Sequence, residues 1–437
     1  RFKSVPRNQF SLIMIRKLFF SKNKSLVEKL LFFFFCIYPI SFLTGNFLIN
    51  FFSIIIFILF LFKLLLDKIK IVDENKLLIF LLIFLFITLV INLVFSNNIS
   101  LTYPRVLKFI IIIGFVLSFR QLIRVFNYKE MNQLYKFWSV ILLIVIADLI
   151  FEFLFESNML GFKSYIPGRL SSFMGSKVPE ASELVIGNFF SAFCLIVLSY
   201  IHLNYKNKSI NIFIALFFIF ISFLIGERSN FVKTSIIITL FIFFVYDIKL
   251  KFKLLSIPII FLLFFSVLML NENYKLRYFN QISKIFNKNG INLYLENSVY
   301  GAHYNVAEKI FKDNPIFGVG IKNFRVESFS DKYHNLDHKL NDRRGNTHPH
   351  QIHYELLAET GLFGYLSFII FIFISFYLFY ISYKKNKNVY QFSGMLFVAV
   401  NLVPLLPTGS FFSTYSAGLF WINYSIMMGY LNKDAKF

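Results

Sequence analysis

The sequence predicts an all-α polytopic membrane protein of about twelve transmembrane helices, and three observations carry that expectation. The 437-residue chain is 57% hydrophobic with 63 Phe, more apolar than the ~45–50% usual for soluble domains. Its apolar residues come in runs of about 17–25, long enough to cross ~30 Å of hydrocarbon as closed helices. Lys and Arg gather in alternate links between those runs, as they do when they hold loops inside against anionic lipid.

In chain order, a basic leader over residues 1–29 reads as a cytoplasmic tail rather than a signal peptide. Spans are expected near 28–45, 47–66, 76–95, 104–120, 134–155, 183–203, 210–226, 229–246, 253–270, 361–383, 389–407 and 411–431. With the N-terminus inside, the inner links hold Lys68, Lys70 and Lys76, then Arg120, Arg124 and Lys129, then Lys206 and Lys208, then Lys249 and Lys251, then Lys384, Lys385 and Lys387. The C-terminus then also falls inside. Residues 156–182 and 271–360 become the two longer outer segments. Net charge of +22 is accounted for by the links, so no nucleic-acid partner is expected. Cys36 and Cys194 sit in apolar runs and read as small buried hydrophobes.

The larger outer segment should fold against the membrane. Val299, Ala302, Val306, Ile310 and Phe311 recur at helical spacing until Asp313-Asn314-Pro315 stops the helix. Residues 331–346 are polar throughout and read as an exposed loop, and "GVG" at 318–320 reads as a turn. Six of the seven histidines (His303, His334, His338, His348, His350, His353) lie in this segment or just beside it, three of them in "NTHPHQIHYELLAETG". Thr347 could cap a helix running from His348 or Pro349 to Thr360, which would put His350, His353, Tyr354 and Leu357 on one face, with Gly361 ending it or easing it into the next span. Such residues could simply line the mouth of a span. A zinc site from His348, His350, His353 and Glu355 is a rival, but the His pair four residues apart on a helix is absent, so no metal is expected.

"HPHQIHYELLAETGLFGYL" resembles the motif of the bacterial O-antigen ligase/polymerase family, His-Pro-His-Asn followed by Leu and Glu-x-Gly-hydrophobic-x-Gly. "AEKIFKDNPIFGVGIKNF" and "FLIGERSNFVK" resemble two further segments of that family, so the likeness spans roughly 210–370 in order. Gln351 stands where Asn is usual, and Glu227 precedes Arg228 where Ser is common. The resemblance implies a GT-C-like membrane glycosyltransferase of the bacterial inner membrane, with residues 210–370 as its core, 30–209 and 371–437 as flanking helices, and a periplasmic active site. It implies transfer of a glycan from undecaprenyl diphosphate to a sugar hydroxyl, on lipid A core for a ligase or a growing glycan for a polymerase, without a cofactor. Carried over, the family's key histidine falls on His350 and its two key arginines on Arg169 and Arg228.

The residue chemistry agrees with those roles. Guanidinium forks suit a diphosphate, and imidazole suits proton abstraction from a hydroxyl near neutral pH. Attack opposite the departing diphosphate implies inversion. Each arginine could also be an ordinary interfacial cation. His348, His353, Glu355, His303, Glu152, Lys233 and Lys177 are secondary candidates. Asp148 and Glu152 lie one turn apart in a span, where ionisable groups are functional by default; Glu152 could orient Arg169 or Arg228, and a transporter or flippase coupled through the two carboxylates is the rival class.

Overall fold

The computed structural model describes residues 24–67, 72–176, 185–247, 271–279 and 290–431, with isolated positions between 249 and 269. Long helices dominate: α1 (Leu26–Thr44), α2 (Asn46–Asp67), α3 (Val72–Val94), α4 (Ile99–Val125), α5 (Tyr128–Phe155), α6 (Ile186–Asn204), α7 (Lys208–Leu224) and α8 (Arg228–Val245). After these come α9 (Gly290–Asn297), α10 (Val299–Asp313), α11 (Ile352–Asn386), α12 (Val389–Val400) and α13 (Thr414–Gly429). Eight of them, α1 to α6, α8 and α11, contain stretches long and apolar enough to cross a membrane, and α7 and α12 are shorter apolar helices. Among the described residues the only β pairing is one isolated bridge between Lys163 and Ser176. The expected span at 253–270 lies largely outside the described residues, as do Lys177 and most of the N-terminal tail.

Local chemistry sets where these helices start. Ser25 with Glu28, and Asn127 with Glu130, form reciprocal capping boxes at α1 and α5, each satisfying donors that helix starts leave free. Large apolar side chains such as Phe47, Phe373 and Leu65 project outward, as lipid-facing residues do, while aromatic groups fill the interior. Polar cross-links brace that interior: Tyr135 to Tyr430 hydroxyl at 2.8 Å, and Ser199 to Ser393 hydroxyl at 2.6 Å. Arg120, expected in an inner link, is instead buried within α4 and donates to the Met428 carbonyl at 2.6 Å.

Three departures from the sequence reading bear on the site. First, α11 begins at Ile352 and is capped by the Gln351 amide, whose side chain accepts from His353 and Tyr354 N–H, so His350 is not on the helix. Gly361, at φ 63°, kinks α11 and leads its first turns into the membrane-length stretch, as expected of it. Second, residues 331–346 are folded rather than exposed throughout: Tyr333 is 1% exposed and Arg344 7%. Third, α12 stops at Val400, and α13 begins only at Thr414. Pro404 and Pro407 withhold the N–H groups that a continuing helix needs, and Leu405 takes a left-handed φ of 65°. Non-helical backbone in such a bundle is tolerated where protein buries it, and Ser410 and Phe411 are buried.

Candidate active site

Three loops interlock to build an arginine platform. Gly226 sits at φ 76°, and a Cβ there would overlap the Gly168 carbonyl, so the "PGR" and "GER" turns touch through two glycines. Leu170 N–H donates to the Ile225 carbonyl at 3.0 Å. From the third loop, 271–279, Tyr278 hydroxyl donates to the Phe223 carbonyl at 2.9 Å, Tyr274 hydroxyl to Leu224 and Arg277 Nε to Gly226. Carbonyls at and just beyond the C-terminus of α7 thereby receive donors from residues about fifty positions on.

This interlock brings Arg169, Arg228 and the Glu227 carboxylate within electrostatic reach of Arg277. Arg169 pairs with Glu227 at 3.0 Å, and Glu227 also accepts from the Asn230 amide at 2.6 Å. Burial lifts the Glu227 carboxyl above its usual range, and Arg169 opposes the lift. Burial, then Arg228 and Arg169, lower the affinity of Arg277 for its proton. Three guanidiniums and one carboxylate leave the platform cationic by two. The sequence pointed to Arg169 and Arg228 but not to Arg277, whose "NYKLRYF" context has no spacing signal of its own.

Glu152 bonds neither guanidinium directly but holds the segment that carries Arg169. Its carboxylate accepts from Ser171 N–H at 2.9 Å, Ser171 hydroxyl at 2.9 Å, Ser172 N–H at 2.6 Å and Ser164 N–H at 3.3 Å. Asp148 accepts from Ser172 hydroxyl at 2.6 Å and Met159 N–H at 2.8 Å. Both carboxylates anchor the backbone that carries Arg169.

A histidine pocket forms the second part. His350 has a left-handed φ of 60°, a conformation that costs about 1–2 kcal/mol outside glycine and is held here by Thr408 N–H donating to its carbonyl at 2.7 Å. Its ring lies 5.4 Å from that of His303 and 4.1 Å from that of His348, centroid to centroid. The Asn346 amide nitrogen lies 3.2 Å from His350 Nε2 and 3.4 Å from His303 Nε2. An amide N–H in that position donates, which assigns Nε2 of each ring as acceptor. Burial pushes the His350 and His303 pKa values down to about 4, and His348 well below its ordinary range. Burial thus favours the uncharged form of all three rings, below the near-neutral range expected from the residue type.

The remaining candidates are positioning groups. His353 uses both nitrogens, on the Leu402 carbonyl at 2.8 Å and Tyr365 hydroxyl at 3.2 Å, and it stands apart from His350 rather than beside it. Glu355 accepts from Phe411 N–H at 2.7 Å and from Ser410 hydroxyl, tying the 401–413 loop to α11. Lys233 is buried in α8 and donates to Asn401 Oδ1 at 3.1 Å. Asn401, Thr408, Gly409 and Asn188 line a small cavity beneath that loop. Among the described residues no group of three or more His, Cys, Asp or Glu side chains is arranged to hold a metal ion.

Both parts border the start of α13. Thr408 bonds His350, whereas Tyr415 donates to the Val185 carbonyl at 3.0 Å and lies within electrostatic reach of Glu227 and Arg169. These features define a multi-pass α-helical membrane protein in which Asn188 at the start of α6 and Ile352 at the start of α11 line one cavity, so the arginine and histidine parts lie at the same end of the bundle. A family model described as "O-Antigen ligase" matches residues 212–369, and over that segment the chain is similar to the O-antigen ligase/polymerase family. The matched segment contains Arg228, Arg277, His303, His348 and His350; Arg169 and the 401–413 loop lie outside it. No curated protein matches the chain. The matched segment supports a coarse activity, that of an O-antigen ligase/polymerase-type membrane glycosyltransferase, a family that works on a lipid-linked glycan and an acceptor.

Proposed function

We propose that the chain transfers an O-antigen or related glycan from undecaprenyl diphosphate to an acceptor sugar hydroxyl, on the periplasmic face of a bacterial inner membrane, with both termini cytoplasmic. The observation that supports this best is a neutral, buried His350 at the same end of the bundle as an arginine platform that one carboxylate cannot neutralise. The platform, Arg169, Arg228 and Arg277, holds the diphosphate, with Arg228 free of any ion pair among the described residues. His350 Nε2 takes the acceptor hydroxyl proton in place of the Asn346 amide. The acceptor oxygen then attacks the anomeric carbon as the bond from that carbon to the diphosphate breaks, and configuration inverts.

A histidine near pKa 4 is ready to accept a proton at pH 7 but holds it weakly. A bound diphosphate supplies the anion that stabilises the imidazolium as it forms. The chemistry uses neither metal nor cofactor. Ligation to lipid A core is the reading we adopt; polymerisation onto a growing glycan uses the same steps, and the cations beside His348 favour it as the second reading. The test is donor affinity. Purified Arg228→Gln, Arg277→Gln protein should bind undecaprenyl diphosphate in nanodiscs on the order of ten- to a hundredfold more weakly. Unchanged affinity would remove the platform from the donor site.

A further inference from the structure

A second cationic cluster lies on the other side of the start of α13. Arg105 and Lys108 come from α4, and Lys322 and Arg325 follow the Gly318–Gly320 turn. Lys108 Nζ donates to Thr414 Oγ1 at 2.8 Å, next to the residue that faces Arg169 and Glu227. Thr102 of α4 donates to the Ile321 carbonyl at 2.9 Å and accepts from the Asn323 amide at 2.9 Å, which sets Arg105, three residues on, beside Lys322 and Arg325. Lys322 reaches Ser410 on the segment where Lys108 reaches Thr414. Electrostatics likewise link Arg105 to Arg325, Lys108 to Lys322, and Lys322 and Arg325 to His348. Two carboxylates face the cluster: Glu355, 3.7 Å from Lys322 Nζ, and the buried Glu359, which acts on Arg105 and Lys322. With both ionised, four cations still exceed two anions.

The two arginines carry the argument. They repel one another, and among the described residues no hydrogen bond or ion pair reaches either guanidinium, although Arg325 Nε is buried. Glu355 is already engaged by Ser410 hydroxyl and Phe411 N–H, which limits what it can offer them. Lys322 is 4% exposed and its ammonium donates to the Ser410 hydroxyl, so it is fixed rather than free to swing out to solvent. Paired guanidiniums beside a fixed ammonium match a phosphoryl group, whose oxygens accept bidentate bonds from each fork.

We propose that Arg105, Lys108, Lys322 and Arg325 form a second phosphoryl site, which binds an anionic group on the acceptor and presents the acceptor hydroxyl to His350 from the His348 side. This rests on reading the arginine platform as the donor site. The phosphoryl group has two possible sources, the diphosphate of a second lipid-linked glycan or a phosphate ester on an acceptor sugar. Arg105 and Lys108 lie outside the family-matched segment, so the site joins that segment to the first half of the chain.

The test counts ligands on the full chain in nanodiscs by native mass spectrometry, first with undecaprenyl diphosphate and then with inorganic pyrophosphate. Wild-type protein should bind two phosphoryl ligands, Arg105→Gln, Arg325→Gln should lose one, and Arg228→Gln, Arg277→Gln should lose the other. Two lipid equivalents identify a lipid-linked acceptor; one lipid and one pyrophosphate identify a phosphate ester. The ligand kept by the Arg105/Arg325 variant shows that it is folded. Should that variant bind nothing, Arg105→Lys, Arg325→Lys decides, with the second ligand expected about tenfold weaker. A single ligand on wild type, or wild-type affinity for both ligands in the Arg105/Arg325 variants, overturns the proposal. Failure of the donor reading shows separately, as two undiminished ligands in the Arg228/Arg277 variant.

Discussion

The arginine platform and the histidine pocket share one end of the bundle, yet opposite physics holds them. At the platform, charges persist because loops cross-link through backbone: two glycines touch, Tyr274, Tyr278 and Arg277 bond the carbonyls at the end of α7, and Glu227 balances part of the charge. At the pocket, burial makes the rings neutral, and no carboxylate bonds His303, His348 or His350 among the described residues. A cationic surface made of backbone contacts should be broken by steric change, whereas a neutral one made of burial should be broken by protons. The comparison therefore separates two kinds of perturbation.

The largest effect is expected where backbone touches backbone. Gly226→Val places a branched side chain at φ 76° against the Gly168 carbonyl, and about 2–4 kcal/mol of stability should be lost together with donor binding. Thermal unfolding in detergent measures it, and an unshifted midpoint would show that the turns part easily. Glu152→Ala comes next. It leaves the Ser171 and Ser172 N–H groups buried without their acceptor, at about 1–3 kcal/mol, and loosens Arg169 without touching it. Donor affinity should fall in that variant while His350 titration stays put.

Acid should act on the pocket instead. A histidine whose folded pKa lies near 4, against an ordinary 6.5, gains its proton more readily in the unfolded chain. The stability it contributes is therefore full above about pH 6.5 and declines as pH falls from there toward 4. Replacing His303 by Asn should flatten this decline in denaturation measured from pH 7 to pH 4. A smaller effect still is expected for His353→Phe, which loses two hydrogen bonds remote from His350, costs about 1–2 kcal/mol and leaves turnover within a few-fold.

How much of this was legible in the sequence follows from the kind of signal each part leaves. Helices announce themselves by apolar length, and the His-Pro-His stretch by its rarity in such a chain. The helix ending at Asp313 and the turn at 318–320 were also legible, since proline and glycine act locally. Arg277 was not, because its role comes from a bond to a carbonyl fifty-one residues earlier. Nor was the break between Val400 and Thr414, where apolar composition masked two prolines inside an expected span. His350 was named but misplaced: Thr347 is by residue type the better cap, and the Gln351 cap with the bond from Thr408 keeps His350 outside the helix.

The account turns on His350 as the proton acceptor beside a separate donor site. The direct measurement is single-turnover transfer from a synthetic undecaprenyl diphosphate glycan by His350→Ala across pH 5–9, with donor binding measured on the same preparation. Transfer should fall by about 10²–10⁴-fold while donor affinity stays within a few-fold of wild type. Near-normal transfer with an unchanged pH profile would contradict it and make His350 a structural residue.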